Sequence, residues 1–236
     1  MKKYLFNQPA GFGDILLIMS IAEKYAKEGH TIIWPTAVHY HNHQKNFPYV
    51  KFWPQEKFGL YDAYDSKRDG IYEDNTYKVF PFRWADVIFN NGRSNLKTCM
   101  WDKYKLVDLP WEDWRNFTIV RDYEKEDELF KELGLKEGDE YNVINENQTR
   151  IFQKTEIKVD NGLRNIYMNL DPKYNMLDWL KVWYNATTIH TVATASLVLI
   201  DKLDDLQPKE RHIYKRIWDN DHSSYDYYMN KEYIWH

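Results

Sequence analysis

Apolar and polar positions change period several times along this chain, and the changes mark alternating strands and helices. Residues 3–8 are short, apolar and β-prone, which predicts a first strand. A glycine-rich turn follows, Pro9-Ala10-Gly11-Phe12-Gly13-Asp14. Ile15, Leu16, Ile18, Met19, Ala22, Tyr25 and Ala26 then recur at helical spacing, with Glu23, Lys24 and Lys27 on the other face. Gly29 closes that helix, and residues 31–34 read as a second strand halted by Pro35. Strand, glycine turn, amphipathic helix and strand make a βαβ unit.

The pattern is weaker over residues 37–84. His39, His41 and His43 alternate in a polar stretch, residues 62–75 read as an exposed loop, and residues 79–82 and 86–89 as short strand pieces. Residues 97–106 predict a helix, and the Leu109-Pro110-Trp111 segment marks a boundary. A second α/β pattern follows: a charged amphipathic helix over 122–133 and a strand over 141–145 with a polar loop to Arg150. A strand over 164–168, a helix over 176–186, a strand over 187–190 and a helix over 193–203 complete it. The expected organisation is an α/β chain of two Rossmann-like lobes, 1–110 and 111–212. A tail, 213–236, is expected to pack back on the first lobe.

Composition narrows the classes. At 236 residues with 43% hydrophobic content, the chain is long enough for two small lobes and apolar enough for a core. A net charge of −4 argues against a protein whose main work is neutralising nucleic-acid phosphates. Cys99 is the lone cysteine, so no internal disulfide forms, and a reducing, cytoplasmic compartment is expected. The N-terminus turns polar too early for a secretory signal, and no apolar run approaches the ~18 residues of a membrane span. Aromatic content of 17% admits two uses: filling a small core, or lining a cleft where sugars and bases stack.

Gly11-Phe12-Gly13-Asp14 carries the chemistry of the first lobe. Glycines after a strand permit a sharp turn and close approach of a ligand to the main chain. A dinucleotide enzyme needs a third glycine at position 16, which is Leu16, and an acid after the second strand, where Trp34-Pro35-Thr36 stands. That fingerprint is absent. Asp14 has two readings, a helix cap or a general base facing a cleft.

The stretch Gly11-Phe12-Gly13-Asp14-Ile15-Leu16-Leu17 resembles the opening of the heptosyltransferase-like glycosyltransferases of the GT-B fold. Residues 141–154, ending Thr149-Arg150-Ile151-Phe152-Gln153-Lys154, are similar to that family's donor-phosphate strand and loop. Asp178-Trp179-Leu180 and the run Ile189-His190-Thr191-Val192-Ala193-Thr194 resemble its later diphosphate turn, where His190-Thr191-Val192 replaces the family's Asp-Thr-Gly. The resemblance implies two lobes facing a cleft, in a small version. It implies Asp14 as base, with Gly11, Phe12 and Gly13 forming an acceptor loop. Thr149, Arg150, Lys154, His190, Thr191 and Thr194 would hold the donor.

Hydroxyls at Thr191, Thr194 and Ser196 before a helix suit phosphate, and equally suit ordinary capping. Lys154 and Arg150 add charge or are simply solvated. The three alternating histidines would share one strand face, but no Cys or carboxylate completes a ligand set, which leaves a polar surface or a loop that contacts acceptor ahead of a metal site. A metal-binding Asp-x-Asp is not expected, since Asp86 and Asp102 stand alone and Asp204-Asp205 follows a helix, and no metal site is expected.

The expected function is inverting, metal-independent transfer of sugar from a nucleotide-diphosphate sugar to a glycan or other hydroxyl acceptor. The nucleotide sugar is a substrate, and no cofactor is implied. The alternative is a non-catalytic α/β protein that binds nucleotide or glycan. A third reading, sugar transfer to a nucleic-acid base, is disfavoured by the acidic net charge.

Overall fold

A computed structural model describes residues 1–8, 11–55, 71–73, 75–82, 99–148, 154–169, 173–203, 205–206, 210–216, 229 and 232–236. The chain divides into two units, Met1–Val120 and Arg121–His236. Each is built on its own sheet.

In the first unit, β1 (Lys3–Phe6), β2 (Thr31–Thr36), β3 (Val50–Pro54), β4 (Tyr72–Glu73) and β5 (Lys78–Phe80) pair in the order β3-β2-β1-β5-β4. All pairs are parallel except β4 on β5. The strands β1, β2 and β3 add outward on one side and β5 on the other, so the order reverses between β1 and β5. In parallel sheets such a switch point leaves a crevice beyond the carboxyl ends of the strands. The glycine turn leaves β1 at that place.

Burial explains the elements. Tyr4, Leu5 and Phe6 are all buried, as a strand with both faces covered requires. The Phe6 ring lies 5.2 Å from Trp34, 5.2 Å from Phe80 and 5.0 Å from Phe82. Much of the aromatic excess is thus core. The helical pattern expected as one helix is two, α1 (Phe12–Leu17) and α2 (Met19–Lys27). The Leu17 carbonyl beside the break accepts a 2.8 Å bond from the hydroxyl of Tyr104 in α3 (Cys99–Lys105).

Three expectations for this unit change. The second strand does not stop at Pro35 but runs on to Thr36. Pairing with β1 has ended by Ile33, so a missing N–H at residue 35 breaks no bond on that side. Residues 38–46 form a 3-10 helix, Val38–Asn46, not a strand, so the three histidines do not share a face. The boundary falls after Val120, later than 110, because Trp114 is buried and Asn46 exchanges two bonds with the Val120 backbone.

The second unit opens with α4 (Tyr123–Glu132), capped by the Asp122 side chain accepting from the Lys125 N–H. Its strands are β6 (Tyr141–Asn145), β7 (Arg164–Tyr167), β8 (Thr188–Val192), β9 (Glu210–Tyr214) and β10 (Ile234–Trp235). They pair in parallel in the order β10-β9-β8-β6-β7, with a reversal between β6 and β8. Helices α5 (Leu180–Asn185) and α6 (Ala195–Lys202) complete the unit. Of the expected tail, the described residues include β10, which pairs with β9, and Tyr233, Trp235 and Met229, which pack on Ala193, Leu197 and Ile213. The expected strand over 86–89 lies outside the described residues, as do residues 62–70 and 74 of the expected 62–75 loop, whose Tyr72–Glu73 form β4. Among the described residues no helix is long and apolar enough to cross a membrane.

Candidate functional site

The chain leaves β1 at Phe6. Asn7 N–H still pairs with the Phe80 carbonyl at 2.9 Å, and Trp34 Nε1 donates to the Gln8 carbonyl at 3.0 Å. Gly11 then takes a positive φ of 80°, which an L side chain adopts only under strain. Asp14 is the third residue of α1, not its cap, and Gly11 supplies the cap position. The half-buried carboxylate folds back over Gly11, and its Oδ2 occupies the space a Cβ on residue 11 would need. Glycine at 11 is therefore required twice, by its backbone and by Asp14. Gly13 is helical.

Phe12 is buried against the 3-10 helix. At three residues per turn, Tyr40 and His43 share a side and meet Phe12, with ring centroids 5.5 and 4.1 Å away. The Tyr40 phenol is raised above its ordinary range, by burial first and also by the charge of Asp14, against the opposing pull of the Gly11 and Phe12 amides. His43 Nδ1 lies 3.2 Å from the Tyr40 carbonyl. A carbonyl only accepts, so Nδ1 carries the proton. Burial pushes the pKa of His43 down to about 3, and the ring is neutral at pH 7. From α3, fully buried Lys103 donates to Gln8 Oε1 at 2.9 Å.

At the second switch point, the Asn145 amide donates to Thr191 Oγ1 at 3.1 Å and to Ser196 Oγ at 2.8 Å. Ser196 lies 2.6 Å from Thr191 and 3.0 Å from Thr194. The Thr194 side chain does not cap α6. These hydroxyls instead tie the ends of β6 and β8 to the start of the helix. Asn145 Oδ1 accepts from Asn147, which bridges to Lys154, whose own side chain is exposed. Thr149 and Arg150 lie outside the described residues.

His190 is not brought together with Thr191. Neighbours on a strand face opposite sides, and His190 lies with Thr188, Tyr214 and His212. Thr188 Oγ1 spends its proton on Asn142 Oδ1 at 2.6 Å, so it accepts from His190 Nε2 at 3.0 Å. Nδ1 then accepts from the Tyr214 hydroxyl at 3.1 Å. The ring stacks on His212 at 4.3 Å, and burial first, then His212 and His236, push its pKa down to about 4. Both ring nitrogens are satisfied within the fold.

Sequence reasoning missed Tyr40, Lys103, Asn145 and Asn147. The i, i+3 spacing of Tyr40 and His43 was the one available signal. It also passed over Asp219-Asn220-Asp221, an Asp-x-Asp outside the described residues. Among the described residues no group of three or more His, Cys, Asp or Glu could hold a metal ion.

No protein-family model matches the chain, and no curated protein matches its sequence. Two solved structures match over 91% of it. Escherichia coli ADP-heptose LPS heptosyltransferase II aligns with a TM-score of 0.52 and 8% identity, over 84% of its own length. E. coli heptosyltransferase WaaC with ADP aligns with a TM-score of 0.46 and 12% identity, over 87% of its length. The chain has the α/β fold of the GT-B heptosyltransferases.

Proposed function

We propose that this chain is a glycosyltransferase that moves a sugar from a nucleotide-diphosphate sugar to a hydroxyl acceptor. The observation that carries the reading is Asp14, folded over Gly11 at the switch point of the first sheet. A carboxylate held beyond the carboxyl ends of parallel strands stands where such folds bind ligands, and it can take a proton. Gly11, Phe12 and Gly13 form the acceptor loop.

In this reading Asp14 accepts the proton of the acceptor hydroxyl as its oxygen attacks the anomeric carbon. The bond from that carbon to the diphosphate breaks, and the nucleoside diphosphate leaves with the electron pair. The transition state has oxocarbenium character. The start of α6 beyond Thr191 and Thr194, with Thr149, Arg150 and Lys154, receives the growing phosphate charge. His190, bonded on both nitrogens, is assigned to holding β8 to β9 and not to the donor. ADP-sugars head the list of donors to try, because the name of heptosyltransferase II carries ADP-heptose.

One direct displacement inverts the anomeric centre. Proton NMR of the first-formed product against its donor tests this. An inverted anomeric configuration is expected, and a retained one would contradict a single displacement driven by Asp14.

A further inference from the structure

Three histidines on neighbouring strands of the second sheet stack into one ladder. Register places His212 of β9 beside His190 of β8 and pairs Ile234 of β10 with His212, so His236 follows across from Tyr214 on the same face. The His190 and His212 rings lie 4.3 Å apart and 9° from parallel, and those of Tyr214 and His236 lie 4.5 Å apart and 11° from parallel. His212 Nδ1 meets His236 Nε2 at 2.9 Å. Two backbone bonds hold the same place: His236 N–H donates to the Ile213 carbonyl, and Lys215 N–H to the His236 carbonyl.

The ladder tolerates few protons. Its 2.9 Å nitrogen contact has room for one. His212 Nε2 faces the Glu210 carboxylate at 3.5 Å and carries a proton, so Nδ1 is bare and accepts from His236 Nε2. One further proton can go to Nδ1 of His236 without breaking that bond. A second cannot be placed so. On His212 Nδ1 it would face the His236 N–H. On His190 Nδ1 it would meet the Tyr214 hydroxyl proton and set a cation 4.3 Å from the His212 ring. Burial and the neighbouring rings hold His190 and His236 below the ordinary histidine range. Among the described residues, the other titratable groups on this face of the strands are Glu210, Tyr214 and Tyr167, while Glu156 and Lys158 pair with each other in solvent.

The strand that the ladder holds also supports α6. On the opposite face Tyr233 and Trp235 pack on Ala193, Leu197 and Ile213, and the Tyr233 hydroxyl donates to Asp201 Oδ1 of α6 at 2.7 Å. We propose that the histidine ladder makes β10 a pH-sensitive brace, closed at neutral pH and opened when acid forces a second proton onto the three rings, and that the start of α6 loosens as it opens. Freed of its neighbours, each ring takes a proton near pH ~6.5. Opening therefore binds at least one proton more than the closed ladder does. Closure is complete above that value and weakens by about tenfold per pH unit below it. The brace acts on α6 whatever the chain catalyses; that it thereby regulates donor binding rests on the transferase reading above.

The test is amide exchange by NMR on the full chain without nucleotide, expressed as protection factors at pH 7 and pH 5, beside a 15N titration of the histidine rings. The amides of His236 and of Leu197, which donates to the Thr194 carbonyl at the start of α6, should each lose at least tenfold in protection at pH 5. The Met168 amide, bonded to Ile144 on the far side of β6, should lose less than either. His236→Gln keeps an amide that can donate to His212 or accept from it but cannot charge, and its losses should be at most threefold. Unchanged protection in the wild type, loss at His236 without loss at Leu197, or equal losses in His236→Gln would overturn the proposal. So would a wild-type titration in which all three rings charge while the His236 amide stays protected, and that spectrum decides the question even where the variant folds poorly. Failure here leaves the transferase reading standing, since no donor is present. Absence of turnover in a separate rate assay sinks that reading and leaves the brace standing.

Discussion

The carboxylate of Asp14 fills the space that a side chain on residue 11 would occupy, while Gly11 itself sits at a φ of 80°. The two residues are thus fitted to each other. Gly11→Ala should cost about 1–2 kcal/mol of stability from the left-handed backbone alone. It should also push Asp14 away from its position. We expect turnover to fall by more than tenfold while nucleotide affinity in the second unit is unchanged. Calorimetric titration beside a rate assay checks this, and unaltered turnover in a folded Gly11→Ala variant would contradict it.

Thr191 and His190 are neighbours in sequence with opposite surroundings. Thr191→Val keeps the shape but removes one of the two bonds of the Asn145 amide and one of those of Ser196, at about 1–3 kcal/mol. Donor affinity should drop by about tenfold, ~1.4 kcal/mol. His190→Gln should leave donor affinity nearly unchanged while lowering stability. Equal loss of affinity in both variants would return His190 to the donor site.

His43 gives the first unit an acid sensitivity whose sign follows from linkage. Its folded pKa, about 3, lies below the ~6.5 of an unfolded histidine. The contribution of the neutral ring is complete above about pH 6.5. It is lost as pH falls from there toward 3, and amounts to something on the order of 4 kcal/mol. Denaturation followed from pH 7 to pH 4 should be steeper for the wild type than for His43→Phe, by roughly 1 kcal/mol per pH unit. Parallel curves would show that His43 is not buried neutral.

How much of this was legible in the sequence depends on how local the signal was. The glycine turn, α2, α4 and β6 announced themselves, because one run of residues holds both the periodicity and the cap. Strands β9 and β10 did not, since a short aromatic or charged strand is defined by the partner it pairs with. The 3-10 helix was hidden for a related reason: His39, His41 and His43 spell a strand-like alternation, and only packing of Tyr40 and His43 on Phe12 selects the tighter turn. The face of His190 was readable in principle. Extending β8 from residue 190 to Val192 puts Thr191 and His190 on opposite sides by alternation alone.

Metal independence is also open to a direct check. Turnover should survive a chelator with less than a twofold change, since helix N–H groups and basic side chains are assigned the phosphate charge. Loss of activity with chelator, restored by magnesium, would direct attention to Asp219-Asn220-Asp221.

The central claim is sugar transfer driven by Asp14. The most direct measurement is nucleoside diphosphate release from ADP-, UDP- and GDP-sugars, with neutral glycosides as acceptors, by wild type and Asp14→Asn. Loss of a general base is expected to cost about 10²–10⁴ in rate. The account predicts release from one donor class, reduced at least a hundredfold in Asp14→Asn, which still binds that nucleotide as tightly as wild type. No release from any donor, or equal release by both proteins, would contradict it and leave a protein that binds its ligand without chemistry.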